Sequence, residues 1–334
     1  MKAVSLFSGG LDSILATKLM LEQGLDIEPL YFRLAFCCGV DPENGSLDFC
    51  RTIPSLGIPL NVMDVSGEML EIVKLPVYGY GSNMNPCIDC KIFMMRKAKE
   101  HMERIGASFL VTGEVLGERP MSQRKDAMFL IEKRAGLQGL VLRPLSARLL
   151  PPTVPEREGW VDRERLLDIQ GRSRKPQIQL AARYGIEDYP DPAGGCLLTD
   201  PGFARRIKDL LIHQPEFNLP DVTLLKCGRH FRFSPRVKLV VGRNEIENQK
   251  IKDLSQMGDR LLRVNRYPGP LSLLRGEVEA GEIEKAAAIT ARYSKARHLK
   301  DVEVVCRKIP DGSQQILMVS PVPEEEVKRL IIHE

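Results

Sequence analysis

Alternating apolar and polar residues divide the first part of the chain into strands and amphipathic helices. The apolar run over residues 2–7 ends in a glycine turn, and residues 12–23 follow with apolar side chains at helical spacing. This pattern predicts a strand, a loop and a helix. Further strands are expected at residues 27–36, 59–65 and 108–113, and a further helix at 91–105. Strands that alternate with helices favour a parallel sheet with right-handed crossovers.

The pattern changes after residue 137, where four prolines interrupt short apolar pieces. Helices are expected again at 162–169 and 175–184, and a loop over 187–195 then leads to Cys196. Beyond about residue 218 the pattern favours an α+β section. Its strands are expected at 223–227, 238–241, 261–264 and 302–307, and its helices at 246–256 and 283–296.

The 334 residues suit two or three domains, at roughly 100 to 200 residues per domain. The fractions of hydrophobic (43%) and charged (28%) residues are those of an ordinary folded protein. We find neither a leader peptide nor the roughly 18 consecutive apolar residues that span a membrane, and therefore expect a cytoplasmic protein without membrane association. In that compartment the eight cysteines are better suited to metal binding or redox chemistry than to disulfides.

The turn between the first strand and helix has the sequence Ser8-Gly9-Gly10-Leu11-Asp12-Ser13. Successive backbone N–H groups and the helix N-terminus can bind phosphate there, and the glycines allow close approach. Asp12 repels phosphate unless a magnesium ion lies between them. The alternative is that the Ser-Gly-Gly turn only joins the strand to the helix and binds no ligand. The Gly-Lys-Ser/Thr ending of the other common phosphate loop is absent.

Cys87 and Cys90 form a Cys-x-x-Cys pair at the start of a predicted helix, where thiolates are stabilised. Such a pair can be a redox couple, half of a zinc site or part of an iron–sulfur site. Cys196 lies in a glycine-containing loop of the kind that lines a site. We expect structural roles for Cys227 and Cys306. A structural role is also favoured for Cys37, Cys38 and Cys50, but a position near a ligand stays open for them.

The loop at residues 8–13 resembles the pyrophosphate loop of the PP-loop ATPase superfamily. Those enzymes cleave ATP between the α and β phosphates and adenylate a carbonyl-type oxygen. The resemblance implies that Ser8, Gly9, Gly10, Leu11, Asp12 and Ser13 bind ATP with Mg2+, and that Asp12 is catalytic. It also implies that Thr112 and Gly113, which end a predicted strand, lie close to the nucleotide.

Taken with the cysteines, the chain resembles the tRNA-thiolating branch of that superfamily, which includes the tRNA 2-thiouridylases and 4-thiouridine synthases. Cysteine-dependent members use a pair that matches Cys90 and Cys196 as persulfide carrier and resolving thiol. The additional Cys87 instead resembles the iron–sulfur members, where three thiolates hold a 4Fe-4S cluster and one iron stays open for hydrosulfide. We prefer a cluster on Cys87, Cys90 and Cys196 to the persulfide relay, and rank zinc third.

The C-terminal section mixes arginines with aromatic residues, and residues 241–248 resemble the RNA-binding domain of ribosome-quality-control proteins of the fibronectin-binding type. Basic runs at 171–177 and 205–208 can neutralise tRNA phosphates or can be solvated helix faces. We therefore expect three domains: a PP-loop ATP-binding domain, a helical extension that carries the Cys196 loop, and a smaller α+β RNA-binding-like domain. Their expected ranges are 1–150, 151–217 and 218–334.

The resemblances imply an ATP-dependent tRNA sulfurtransferase, a tRNA thiouridine synthase that adenylates a uridine carbonyl oxygen and replaces it with sulfur. Its partners would be tRNA and a sulfur donor, either hydrosulfide or a persulfide-carrying protein. Two alternatives stay open: a PP-loop amide ligase that adenylates a small carboxylate, and a non-catalytic nucleotide- and RNA-binding protein. The sequence identifies neither the modified uridine nor the oligomeric state, for which a homodimer is one option.

Overall fold

Residues 1–37, 56–187, 189 and 196–332 are described by a computed structural model. Cys38 and Cys50 lie outside these residues. The chain divides into two units, Met1–Leu197 and Leu198–Glu334. The expected boundaries near residues 150 and 217 stay predictions.

The N-terminal unit is built on a parallel five-stranded sheet with the order β3-β2-β1-β4-β5. Its strands are β1 (Lys2–Leu6), β2 (Asp26–Arg33), β3 (Asn61–Asp64), β4 (Phe109–Thr112) and β5 (Val141–Leu142). The chain builds outward from β1 to β3 and then returns to place β4 on the other side of β1. In open α/β sheets, such a reversal of strand order leaves a crevice at the carboxyl ends of the two strands concerned.

Helices cover both faces of this sheet. They are α1 (Leu11–Glu22), α2 (Ser66–Lys74), α3 (Cys87–Arg104), α4 (Lys125–Ala135), α5 (Val154–Arg157) and α6 (Lys175–Arg183). Because side chains alternate along a strand, Phe109 and Val111 pack in the core that contains α1, whereas Leu110 packs in the core that contains α3. Each such side chain, when fully buried, contributes about 1.5–3 kcal/mol. These two cores therefore hold the ends of β1 and β4 in place.

The C-terminal unit contains a six-stranded antiparallel sheet with the order β11-β10-β8-β9-β7-β6. Its strands are β6 (Arg229–Ser234), β7 (Val237–Val241), β8 (Arg260–Val264), β9 (Ser272–Gly276), β10 (Val302–Lys308) and β11 (Gln314–Val319). Its helices are α7 (Pro201–His213), α8 (Leu219–Leu225), α9 (Glu245–Asp253), α10 (Ala280–Arg292) and α11 (Glu324–Leu330). The parallel sheet and this α+β unit confirm the predicted fold class.

Two predicted elements are wrong. The strand expected at 223–227 falls largely in α8, because Asn218 caps that helix by accepting a hydrogen bond from Asp221 N at 3.2 Å. The helix expected at 162–169 is only a 3-10 turn, Arg163–Arg165. The N–H groups of Leu167 and Ile169 donate to the carbonyls of Pro144 and Leu145 instead of to a preceding helical turn. Strands β6, β9 and β11 were not predicted.

In the part of the chain that the structure describes, every helix is too short or too polar to cross a membrane.

Candidate active site at the ends of β1 and β4

The loop between β1 and α1 turns on glycine. Gly9 has φ +77°, in the left-handed region that glycine adopts without strain. Gly10 precedes α1, and no side chain of the described residues caps the helix. The first N–H groups of a helix lack partners within the helix and carry its partial positive charge. The loop therefore presents a feature that binds anions.

Two serines close the loop on itself. The Ser13 hydroxyl donates to the Gly10 carbonyl at 2.7 Å and accepts from the Ser8 N–H at 3.2 Å. The Ser8 hydroxyl lies 3.2 Å from the same Ser13 oxygen. Ser13 is buried, so its hydroxyl shapes the loop, whereas Ser8 is exposed and its hydroxyl can reach a ligand.

The end of β4 lies against this loop. Leu6 at the end of β1 is paired with Thr112 at the end of β4. A Cβ atom on the next residue, Gly113, would lie 2.5 Å from both the Asp12 carbonyl carbon and the Ser13 nitrogen. Such distances are shorter than any van der Waals contact, so this position accepts only glycine. The structure thus brings the predicted residues 8–13 and 112–113 together.

Three polar side chains with buried atoms meet beside the loop. Asp12 Oδ1, Glu118 Oε2 and both polar atoms of the Gln177 amide have no hydrogen-bond partner of normal geometry among the described residues. Gln177 lies on α6 and is completely buried. Leaving buried polar atoms without partners costs about 1–3 kcal/mol each. The cluster therefore has the features of a ligand site.

The electrostatics of this cluster suit a cation. Burial raises the pKa of Asp12, although the nearby Gln177 amide, Arg174 and Arg119 oppose the rise. Burial also raises the pKa of Glu118, and the charge of Asp12 raises it further. A divalent cation bound by these oxygens would relieve both effects, and carboxylate and amide oxygens suit Mg2+. Sequence reasoning missed Glu118 and Gln177, since no local pattern marks either residue.

A buried ion network links β4 to the cysteine helix. Lys91 Nζ lies 3.2 Å from Glu114 Oε1, and Arg143 Nε donates to Glu114 Oε2 at 3.0 Å. Arg143 also pairs with Glu132. Burial alone would raise the pKa of Glu114, but Lys91 and Arg143 outweigh it and hold that pKa below its ordinary value. Arg143 is buried, not solvated, and Glu114 holds the start of α3 against the sheet.

Cys87 and Cys90 occupy the first turn of α3, which begins four residues earlier than predicted. The Asn85 side-chain amide donates to Cys87 Sγ at 3.0 Å. Burial opposes the stabilisation of a Cys90 thiolate that the helix N-terminus favours. Burial raises the pKa of Cys90 to about 12, Lys91 only partly opposes this, and the neighbouring thiols of Cys196, Cys87 and Cys37 add to it. Burial therefore disfavours the Cys90 thiolate in the chain without a bound metal.

The backbone places Cys37 opposite Cys196. The two residues form an isolated antiparallel bridge, and Leu197 N donates to the Phe36 carbonyl at 2.8 Å. Cys37 thus joins the predicted set near Cys90. Within residues 1–37, 56–187, 189 and 196–332, no three His, Cys, Asp or Glu side chains are arranged to hold a metal ion.

A crevice at the reversal of a parallel sheet, with a glycine phosphate loop beside it, defines a nucleotide-binding fold of the PP-loop type. Residues 1–148 match the family model described as "Thiamine biosynthesis protein (ThiI)". Residues 228–331 match the model described as "NFACT protein RNA binding domain". The predicted resemblance to PP-loop tRNA-thiolating proteins, with an RNA-binding-type C-terminal domain, is confirmed.

Curated relatives agree with this assignment. A tRNA-specific 2-thiouridylase MnmA of Syntrophotalea carbinolica is 34% identical over 113 residues, or 32% of this chain, and that of Marinobacter nauticus is 26% identical over 241 residues, or 67%. A probable tRNA sulfurtransferase of Thermoanaerobacter is 27% identical over 146 residues, or 43% of this chain. The chain spans 32%, 57% and 36% of the lengths of these three relatives.

Two solved structures are similar to part of this chain. A 4-thiouridine synthetase in complex with RNA and ATP is 29% identical, with a TM-score of 0.32 over 40% of this chain and 34% of its own. The U34-tRNA thiolase NcsA of Methanococcus maripaludis, solved with its [4Fe-4S] cluster, is 13% identical, with a TM-score of 0.32 over 68% and 73% of the two chains.

Proposed function

We propose that the protein is an ATP-dependent tRNA sulfurtransferase that adenylates a uridine carbonyl oxygen and replaces it with sulfur. The observation that carries this proposal is the close packing of Gly113 on the backbone of Asp12 and Ser13. This packing places the end of β4 against the anion-binding loop at the start of α1. The ThiI-type match of residues 1–148 and the thiols near Cys90 support the sulfur chemistry.

The loop residues would bind the phosphates of ATP. The first N–H groups of α1 would bind the anion, and Arg119 and Arg174 lie near enough to Asp12 to affect its pKa. Oxygens of Asp12, Glu118 and Gln177 would hold Mg2+, which supplies positive charge to the phosphates when bound. Asp12 thus acts through the metal rather than by taking a proton. Thr112 is buried beneath the crevice and positions Gly113.

The chemistry then has two balanced steps. A uridine carbonyl oxygen attacks the α phosphate and pyrophosphate leaves, which converts the oxygen into a good leaving group. Sulfur next attacks the ring carbon that carries this oxygen, and AMP leaves together with the oxygen. Cys196 is our candidate for the sulfur carrier, which would take the outer sulfur of a persulfide-carrying protein and release that protein's thiol. Hydrosulfide, as the alternative donor, would attack the adenylated carbon directly without passing through Cys196. The 4Fe-4S cluster on Cys87, Cys90 and Cys196 stays a prediction from cysteine spacing.

The C-terminal unit would bind the RNA. Residues 228–331 resemble an RNA-binding domain, and within them the Arg229 guanidinium lies 4.6 Å from the centre of the Tyr293 ring.

Lys208 on α7 is exposed and can contact phosphate. Replacing a lysine that contacts phosphate lowers the slope of log affinity against log salt by about 1. We expect Lys208→Ala to do this for tRNA, whereas Lys328→Ala, which removes an ion-paired lysine, should not. A cytoplasmic location is part of this proposal.

The decisive experiment incubates the anaerobically purified full chain with ATP, Mg2+, sulfide and unmodified tRNA. We expect AMP formation that depends on tRNA, and thiouridine in the digested RNA by mass spectrometry. Asp12→Asn should abolish both products. Iron and sulfide analysis of the same sample tests the cluster.

The controls separate the alternatives. AMP that forms without tRNA but with a small carboxylate would point to an amide ligase. ATP and tRNA binding without AMP would point to a non-catalytic binding protein. Either result would overturn the proposed sulfur transfer.

A further inference from the structure

Cys37 and Cys196 are directly opposite each other on two antiparallel segments. The hydrogen bond from Leu197 N to the Phe36 carbonyl joins the residues that flank them, which defines a non-hydrogen-bonded pair. In such a pair the Cα atoms are about 4.5 Å apart and the two side chains lie on the same face. A disulfide requires Cα atoms roughly 4.4–6.8 Å apart. The backbone therefore presents these two thiols at a separation that a disulfide can bridge.

The surroundings leave this pair anchored yet reachable. Phe36, which accepts the flanking hydrogen bond, is buried at 2% exposure. Cys37 and Cys196 are both half-buried. The pair is in the thiol form, as are the other cysteines that the structure describes. Both residues are thus partly exposed among the described residues, while the backbone keeps them in register.

Cys90 is less well placed to bond to Cys196. It sits in the first turn of α3, where its N–H donates to the Pro86 carbonyl. No backbone hydrogen bond in the described ranges ties this turn to the segment of Cys196. The backbone pairing of Phe36 with Leu197 thus fixes Cys37, and not Cys90, directly opposite Cys196.

We propose that Cys37 is the resolving thiol that releases sulfur from a persulfide on Cys196. This inference rests on the proposed sulfur transfer and names a residue within it. The Cys37 thiolate attacks Cys196 Sγ, the sulfur–sulfur bond of the persulfide breaks, and hydrosulfide leaves with its electron pair. The product is a Cys37–Cys196 disulfide, which an external dithiol reduces before the next turnover. The hydrosulfide then attacks the adenylated uridine carbon.

The test measures the protein chemistry without ATP or tRNA. The reduced full chain is treated with inorganic polysulfide, freed of excess reagent, alkylated and mapped by non-reducing peptide mass spectrometry. We expect a Cys37–Cys196 disulfide and about one released hydrosulfide per disulfide formed. Cys37→Ser and Cys37→Ala should retain the persulfide on Cys196 and release sulfide at least tenfold more slowly.

Matched variants show whether the effect belongs to Cys37. Cys306→Ala removes a buried cysteine in the other unit and should release sulfide like the wild type. Cys90→Ser should still form the Cys37–Cys196 disulfide. ATP binding by the Cys37 variants, measured by calorimetry, checks that the fold of their unit is intact.

Three results would overturn the inference: a Cys90–Cys196 disulfide in the wild type, undiminished sulfide release by both Cys37 variants, or no persulfide on Cys196. If the inference alone fails, tRNA-dependent AMP formation by the wild type continues. If the proposed function fails, that AMP is absent whatever disulfide forms. The two failures are therefore distinguishable.

Discussion

Gly113 approaches Ser13 so closely that a Cβ on the glycine would lie 2.5 Å from the serine nitrogen. The two residues are far apart in sequence, yet they join the end of β4 to the first turn of α1. The geometry of the loop thus depends on a neighbouring strand as well as on its own glycines.

Gly113→Ala should weaken Mg2+-ATP binding at least tenfold, because the methyl group pushes the loop backbone away from its anion-binding position. A tenfold loss corresponds to about 1.4 kcal/mol. Isothermal titration calorimetry on the full chain measures the change. Gly67→Ala is the matched control, since a Cβ there meets nothing within 4 Å. Equal affinity for the two variants would show that the loop does not need this contact.

Asp12→Asn should raise the stability of the ligand-free chain and abolish its stabilisation by Mg2+-ATP. Burial raises the pKa of the Asp12 carboxyl in the folded chain, so the folded state binds this proton more tightly than the unfolded state. The wild-type contribution to stability therefore falls as pH rises from the unfolded pKa through the raised folded pKa. Asparagine carries no charge and avoids this loss. We expect the ligand-free variant to be more stable than the wild type at neutral pH, while Mg2+-ATP no longer stabilises it.

Thermal unfolding at several pH values, with and without Mg2+-ATP, checks the effect of Asp12→Asn. The stability advantage of the variant should shrink as the pH falls through the raised pKa. A variant that is less stable than the wild type at neutral pH would show that the charged Asp12 carboxylate does not destabilise the ligand-free chain. A variant that Mg2+-ATP still stabilises fully would remove Asp12 from the site.

The sequence was sufficient for the features that depend on near neighbours in the chain. Strand, glycine loop and helix follow one another within residues 2–23, and the parallel sheet follows from the repeated alternation of strands and helices. The loop, Thr112 and Gly113 could be predicted together because the carboxyl ends of neighbouring parallel strands share one edge. The helix start at Cys87 was placed within a few residues.

The features that the sequence could not predict depend on distant parts of the chain. Gln177 reaches Asp12 only because α6 packs on the α1 side of the sheet. Cys37 faces Cys196 through a single bridge between two loops, and no local pattern encodes such a pairing. The prediction of a strand at 223–227 was wrong for a different reason. A short apolar run is compatible with a strand or a helix, and the cap at Asn218 stabilises the helix.

Arg143→Met should destabilise the N-terminal unit by about 3–5 kcal/mol, because it leaves the carboxylates of Glu114 and Glu132 buried without their arginine. Urea unfolding followed by tryptophan fluorescence measures this unit specifically. Trp160 is the only tryptophan in the chain, and its ring stacks on Phe109 with 6.3 Å between centroids.

Arg124→Met is the control for Arg143→Met. It removes an arginine–carboxylate pair whose side chains are 64% and 68% exposed, and exposed pairs contribute less than about 1 kcal/mol. Similar losses for the two variants would mean that burial does not govern the energetics of the Arg143 network.

Lys238→Met should stabilise the C-terminal unit most strongly below pH 7. Burial lowers the pKa of Lys238 to about 7, although Asp209 at 3.7 Å opposes the shift. The folded state therefore carries the full cost of a buried ammonium below pH 7, and this cost declines as pH rises from about 7 towards the ordinary lysine value. Methionine removes the ammonium, and Asp209 keeps its 2.6 Å bond to Arg232.

Hydrogen exchange of β7 peptides, compared between variant and wild type at the same pH, measures the difference. Greater protection in the variant at pH 6 that shrinks by pH 9 is expected, whereas a difference independent of pH would show that Lys238 does not titrate in this range.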